Sequence, residues 1–124
     1  MTELQTKNFK ATELRCKCDY CKHEQPHQCD AQALQALQAV REELGFPLTV
    51  TSAYRCKRHP SEAKKSKPGT HNRGTAFDIA LPYGELRYKL LAVAIKHGFN
   101  GVGFAHSFIH IDYQRPTDMT WTYK

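Results

Sequence analysis

Leu34, Leu37, Val40 and Leu44 recur at intervals of three and four residues, which predicts an amphipathic helix over 31–44. Asp30 is placed to cap its start and Gly45 to stop it. After Phe46-Pro47, the run Leu48-Thr49-Val50-Thr51-Ser52-Ala53-Tyr54 alternates and is rich in β-formers, so a strand is expected there, and a second at Thr75 to Leu81. Pro82-Tyr83-Gly84 should turn the chain into another helix, about 84–97, with Leu86, Leu90, Val93 and Ala94 as its apolar stripe and Gly98 as its end. Gly101–Ala105 and Phe108–Tyr113 read as two strands joined tightly enough for a hairpin. Thr12-Glu13-Leu14 opens a short helical turn. Residues 16–29 lack periodicity, residues 55–70 read as a long surface loop, and the tail from Gln114 carries no assignment. This order predicts an α+β fold: a small, mainly antiparallel sheet with helices packed on one face. One domain over 1–124 is expected, with 1–29 a Cys/His-rich segment packed on it and 114–124 a tail.

The length of 124 residues suits one compact domain and is short for two. With 40% apolar residues the chain is too hydrophobic to be disordered, yet no window reaches the ~18 apolar residues of a membrane span. Residues 1–10 have no apolar core, so synthesis in the cytoplasm without a signal peptide is expected. A net charge of +6 favours polyanionic partners: nucleic acid, anionic lipid or an acidic cell wall. Arg55, Lys57, Arg58, Lys64, Lys65, Lys67 and Arg73 fall in one stretch opposed only by Glu62; by itself such a run is a solvated loop.

His71, Asp78 and His110 have a spacing that makes chemical sense together. In the strand around Asp78, side chains alternate, so Phe77 and Ile79 point to the core while Asp78 shares the other face with the small Ala76 and Ala80. His71 lies just before Gly74, where the chain can fold back, and His110 shares a strand face with Asp112. Two neutral imidazoles and one carboxylate suit zinc, and three protein ligands leave a fourth position open for catalysis. Zinc polarises a carbonyl and brings the pKa of a coordinated water down to about 7. The competing structural reading is a strand Asp satisfied by backbone amides beside two unrelated histidines.

The run His71-Asn72-Arg73-Gly74-Thr75-Ala76-Phe77-Asp78 resembles the His-x-x-Gly-x-Ala-x-Asp signature of zinc D-Ala-D-Ala carboxypeptidases and L-Ala-D-Glu endopeptidases, relatives of the hedgehog signalling domain. Ser52-Ala53-Tyr54-Arg55, then Gly101-Val102-Gly103 and Phe108-Ile109-His110-Ile111-Asp112, follow in that family's order, and the resemblance extends from about Phe9 to Tyr113. It is nearest to the short phage and bacterial members. The resemblance implies zinc ligands His71, Asp78 and His110. It implies a substrate-binding role for Arg55, beside Tyr54 and Ser52, with the guanidinium on a substrate carboxylate or on the developing oxyanion.

The chain departs from the family pattern at Ser107, where many relatives carry the acid that serves as general base. Asp112 is the nearest acid; it either takes the proton or orients a ligand. His106, where relatives usually have proline, is a rival, and His59 a third possibility. Ala105 replaces a tyrosine, Gly69 a serine, and Lys64-Lys65 a pair of glycines.

Cys16, Cys18, Cys21, Cys29 and Cys56 admit a second, structural zinc, disulfides or free buried thiols; His23 and His27 are further candidate ligands. A thioredoxin-like reading of Cys18-x-x-Cys21 lacks the strand-to-helix context it needs.

The resulting expectation is a zinc metallopeptidase, a hydrolase cutting peptide bonds of bacterial peptidoglycan stems or cross-links, endolysin-like or carboxypeptidase-like. It would act as a monomer without membrane or nucleic-acid partners, on the cell wall after release from a phage-infected cell. Two alternatives stand beside it: a non-catalytic zinc-binding module of the same fold, and a Cys-rich module binding nucleic acid through its basic loop. The latter lacks interleaved aromatics and a reading helix.

Overall fold

The computed structural model describes residues 3–81 and 84–123. Four helices and five strands follow one another as α1 (Ala11–Leu14), α2 (Ala31–Leu44), β1 (Thr49–Ser52), α3 (Pro60–Ala63), β2 (Ala76–Ala80), α4 (Gly84–Lys96), β3 (Phe99–Phe104), β4 (Phe108–Tyr113) and β5 (Met119–Thr122). The strands form one sheet in the order β1-β2-β4-β3-β5, antiparallel at every pairing except β3 with β5. The fold is α+β, as the hydrophobic pattern predicts. Among the described residues no helix is long and apolar enough to cross a membrane.

Local chemistry explains the element ends. Asp30 caps α2 by accepting from the Ala33 amide at 2.9 Å, and Gly45 closes it in the left-handed region at φ 76°. β1 stops at Ser52, two residues short of the expected end. The Ala53 carbonyl turns to His71 and the Tyr54 amide to the Leu14 carbonyl, so neither continues the ladder. The turn expected at Pro82-Tyr83 lies outside the described residues. The basic loop is more ordered than a solvated run: it contains α3, and buried Glu62 ties it together by accepting from Lys65 Nζ at 3.0 Å and the Gly69 amide at 3.2 Å.

The two sheet faces differ in character. Phe77, Ile79, Val102, Ile109 and Ile111 face the core built with Leu34, Leu37 and Val40 of α2 and Leu90 and Ala94 of α4. The opposite face carries Asp78, His110 and Asp112, with glycines at 101 and 103 on the neighbouring strand. Strand alternation therefore puts polar chemistry on the face that the helices leave uncovered.

Candidate metal centre

Register brings the ligands together. In the β2–β4 pair, Asp78 stands directly opposite His110, and Ala76 opposite Asp112. His71 reaches the same point from the 70–75 turn, which is closed by Thr75 N–H donating to the Thr70 carbonyl and by Gly74 in the left-handed region at φ 77°. Gly74 is required twice over, because a Cβ there would strike the backbone of Gln28 to Asp30. His71 Nε2 and His110 Nδ1 lie 3.2 and 3.0 Å from the same oxygen, Asp78 Oδ1. All three residues are buried.

The partners on the far side of each ring fix which nitrogen is free. His71 Nδ1 is 2.6 Å from the Ala53 carbonyl, which can only accept, so Nδ1 carries the proton and Nε2 offers its lone pair. His110 Nε2 is 2.7 Å from Asp112 Oδ2, which directs Nδ1 toward Asp78. Burial alone would raise the Asp78 pKa, but the His110 and His71 rings set against its carboxylate hold it well below the usual carboxylate range. For His110, burial opposes protonation, while hydrogen bonds to Asp112 and Asp78 outweigh it and push the pKa up. Two imidazole nitrogens and an ionised carboxylate oxygen, each backed by a second partner, are a donor set that fits zinc.

The expected site residues do not all converge. Arg55 does: Nη2 donates to Asp78 Oδ2 at 3.1 Å, and Nε to Ser52 Oγ at 3.1 Å. Ser52 thus orients Arg55 and does not line the cleft itself. Tyr54 is buried and turned toward the cysteines, lining a depression with Tyr20, Cys21 and Cys56, so its expected place at the substrate is not where the fold puts it. His106 is exposed in the β3–β4 turn and His59 caps α3 by accepting from the Ser61 amide at 3.0 Å; neither lines the cleft. Asp112 is completely buried behind His110. Its Oδ1 lies 3.1 Å from Arg115 Nε, close enough for ion pairing but angled so that no hydrogen bond forms.

A cleft of about 530 Å³ opens over His71 and His110. Arg55, Lys65, Arg73 and Arg115 line it, and no carboxylate does among the described residues. Its far wall is the segment containing β5 and its flanks, where Trp121 packs on the His110 ring at 5.2 Å, Arg115 stacks over Trp121 at 4.9 Å and Tyr123 packs on Phe108 at 5.4 Å. Gly103 leaves the room that Trp121 occupies. Arg115, Trp121 and Tyr123 were not among the residues expected at the site. The alternation Met119-Thr120-Trp121-Thr122-Tyr123 was the available signal, weakened by its position on an edge strand.

Cys16, Cys18, Cys21 and Cys56 gather with their sulfurs all within 4.8 Å of one another. The remaining candidates stay apart: Cys29 is buried elsewhere, and His27 is engaged with the Cys29 amide and the Leu4 carbonyl.

The model of the peptidase M15 family matches residues 7–112, and the chain belongs to that family, whose members are zinc-dependent metallopeptidases. No curated protein matches the chain.

Proposed function

We propose that this M15 family chain is a zinc peptidase that hydrolyses peptide bonds in bacterial peptidoglycan, with His71, Asp78 and His110 as the metal ligands. The observation carrying the proposal is the convergence of His71 Nε2 and His110 Nδ1 on Asp78 Oδ1 at the floor of a cleft whose charged lining residues, among those described, are Arg55, Lys65, Arg73 and Arg115. When bound, zinc supplies Lewis acidity toward the scissile carbonyl and acidifies a coordinated water. Arg55, already aimed into the cleft by Ser52 and Asp78, binds a substrate carboxylate or the carbonyl oxygen as charge develops on it. Lys65, Arg73 and Arg115 attract an acidic wall peptide, and Trp121 and Tyr123 give its backbone a flat wall to lie against. Asp112 orients His110 and keeps its outer nitrogen protonated; it stands on the opposite edge of the ring from Asp78, away from the reacting atoms.

Incubation with purified peptidoglycan and mass spectrometry of the released fragments tests the reading and identifies the bond. New amino and carboxyl ends, absent with His71→Ala, are expected. One observation favours a second reading, a non-catalytic wall-binding module: Ser107 stands where many relatives carry an acid, and among the described residues no carboxylate beyond the ligand Asp78 stands at the cleft. Binding to peptidoglycan without fragment release would decide for that module.

A further inference from the structure

We propose that Cys16, Cys18, Cys21 and Cys56 form a second, structural zinc site, separate from the cleft. Cys56 Sγ lies 3.6 Å from both Cys16 Sγ and Cys18 Sγ. A disulfide requires about 2 Å and would engage Cys56 with only one of them. A tetrahedral zinc with Zn–S near 2.3 Å sets sulfurs about 3.8 Å apart, which matches the observed spacing.

The backbone around the sulfurs is arranged for thiolates. The Cys21 amide donates to Cys18 Sγ and the Cys56 amide to Cys16 Sγ, each at 3.4 Å. The knuckle is closed by Lys22 N–H to the Cys18 carbonyl at 2.9 Å and His23 N–H to the Cys16 carbonyl at 3.2 Å, with both residues held in the left-handed region. A four-thiolate zinc site carries a net negative charge, and Lys17, Lys22, Lys57 and Arg58 flank its ligands in the chain. The need is also evident: residues 15–30 contain no helix or strand, so this segment cannot hold itself in place by regular hydrogen bonding. A metal supplies that cross-link, and its binding energy becomes folding energy as the thiol protons pass to solvent. Cys56 follows Arg55 directly, so the site also anchors one end of the segment that aims Arg55 at Asp78.

Elemental analysis of the purified full chain should find two zinc ions, with one retained in His71→Ala/His110→Ala and one in Cys18→Ser/Cys21→Ser. Cobalt loaded into the metal-stripped full chain should give a thiolate charge-transfer band that persists in the histidine double variant. A wild-type chain holding a single zinc that the histidine substitutions remove, with no cobalt–thiolate band, would overturn the cysteine site and leave the cleft reading standing. The reverse, a single zinc that survives those substitutions with the thiolate band intact, would support it while removing the cleft metal. If the cysteine variant does not fold, the wild-type cobalt spectrum decides. Alkylation under non-reducing conditions that leaves these cysteines unmodified and bridged would also overturn the proposal.

Discussion

The carboxylate of Asp112 meets the outer nitrogen of His110 at 2.7 Å, so a fully buried acid holds the ring whose inner nitrogen faces Asp78. The two residues are neighbours on one face of β4, separated only by Ile111, which points to the core. An acid in this position sets the tautomer and direction of the ring. Asp112→Asn should therefore weaken metal binding roughly 10- to 100-fold, the usual cost of losing a partner behind a ligating histidine. Peptidase activity should return when zinc is supplied in excess. Metal titration followed by activity at saturating zinc checks this; persistent loss of turnover in the fully loaded variant would show Asp112 acting on the proton itself.

The same carboxylate imposes a requirement on the adjacent strand. Gly101 pairs with Asp112 across β3 and β4, and a Cβ at 101 would come within 2.7 Å of Asp112 Cγ and 2.6 Å of Arg115 Cδ. Neither neighbour is free to move, because one is buried and the other is stacked on Trp121. Gly101→Ala should cost about 1–3 kcal/mol of stability through overpacking. It should also reproduce the metal-binding defect of Asp112→Asn. Denaturant midpoints and zinc affinity measured on the same variant check both effects.

The legible parts of the sequence were those governed by local periodicity. The 31–44 helix with Asp30 and Gly45 at its ends, and the alternation that turns Asp78 and His110 away from the core within their strands, follow from spacing that burial enforces, whereas the β2–β4 pairing that sets Asp78 opposite His110 came from the fold. The side-chain directions of Tyr54, Ser52 and His106 were not legible, because each depends on how β1 ends and where the hairpin turns. β1 leaves the ladder when Ala53 gives its carbonyl to His71, and that hydrogen bond joins residues 18 positions apart. Likewise β5 pairs in parallel with β3, a non-local contact that no short window of polar residues announces. The four-cysteine cluster lay between these cases: all five cysteines were evident as candidates, but taking Cys56 and leaving Cys29 out required the fold.

Acid should loosen the N-terminal segment by a route independent of the metal sites. Glu3 accepts from Arg15 Nε and Nη2 at 3.1 and 2.7 Å and from the His27 amide at 2.7 Å. Its pKa is lowered from 4.5 to about 2, chiefly by the Arg15 hydrogen bond, against a smaller opposing effect of burial. A depressed carboxylate contributes stability that is present above its unfolded pKa and is lost as pH falls from about 4.5 through about 2. The pair is partly exposed and screened, so its contribution is about 1 kcal/mol. Glu3→Gln should be less stable than the parent at pH 7 by that amount, and the gap should close as the pH approaches 2. Thermal melts of both chains across that range check the sign.

Arg55 gives the sharpest distinction between a charge and a shape. Its Nε is engaged by Ser52 Oγ and its Nη2 by Asp78 Oδ2, so the guanidinium plane is fixed by two bonds made from different nitrogens. A lysine offers one mobile ammonium and cannot make both contacts while facing the cleft. Arg55→Lys should therefore behave much like Arg55→Ala, each losing about 100- to 1,000-fold in kcat/KM, the range for removal of a donor to a developing oxyanion. Ser52→Ala, which frees Nε but keeps the guanidinium, should fall between these variants and the parent. If Arg55 serves only as a diffuse positive charge for an acidic substrate, Arg55→Lys will instead retain most of the activity, and the loss in Arg55→Ala will shrink as salt is raised. Rates for the three variants at low and high ionic strength separate the two roles.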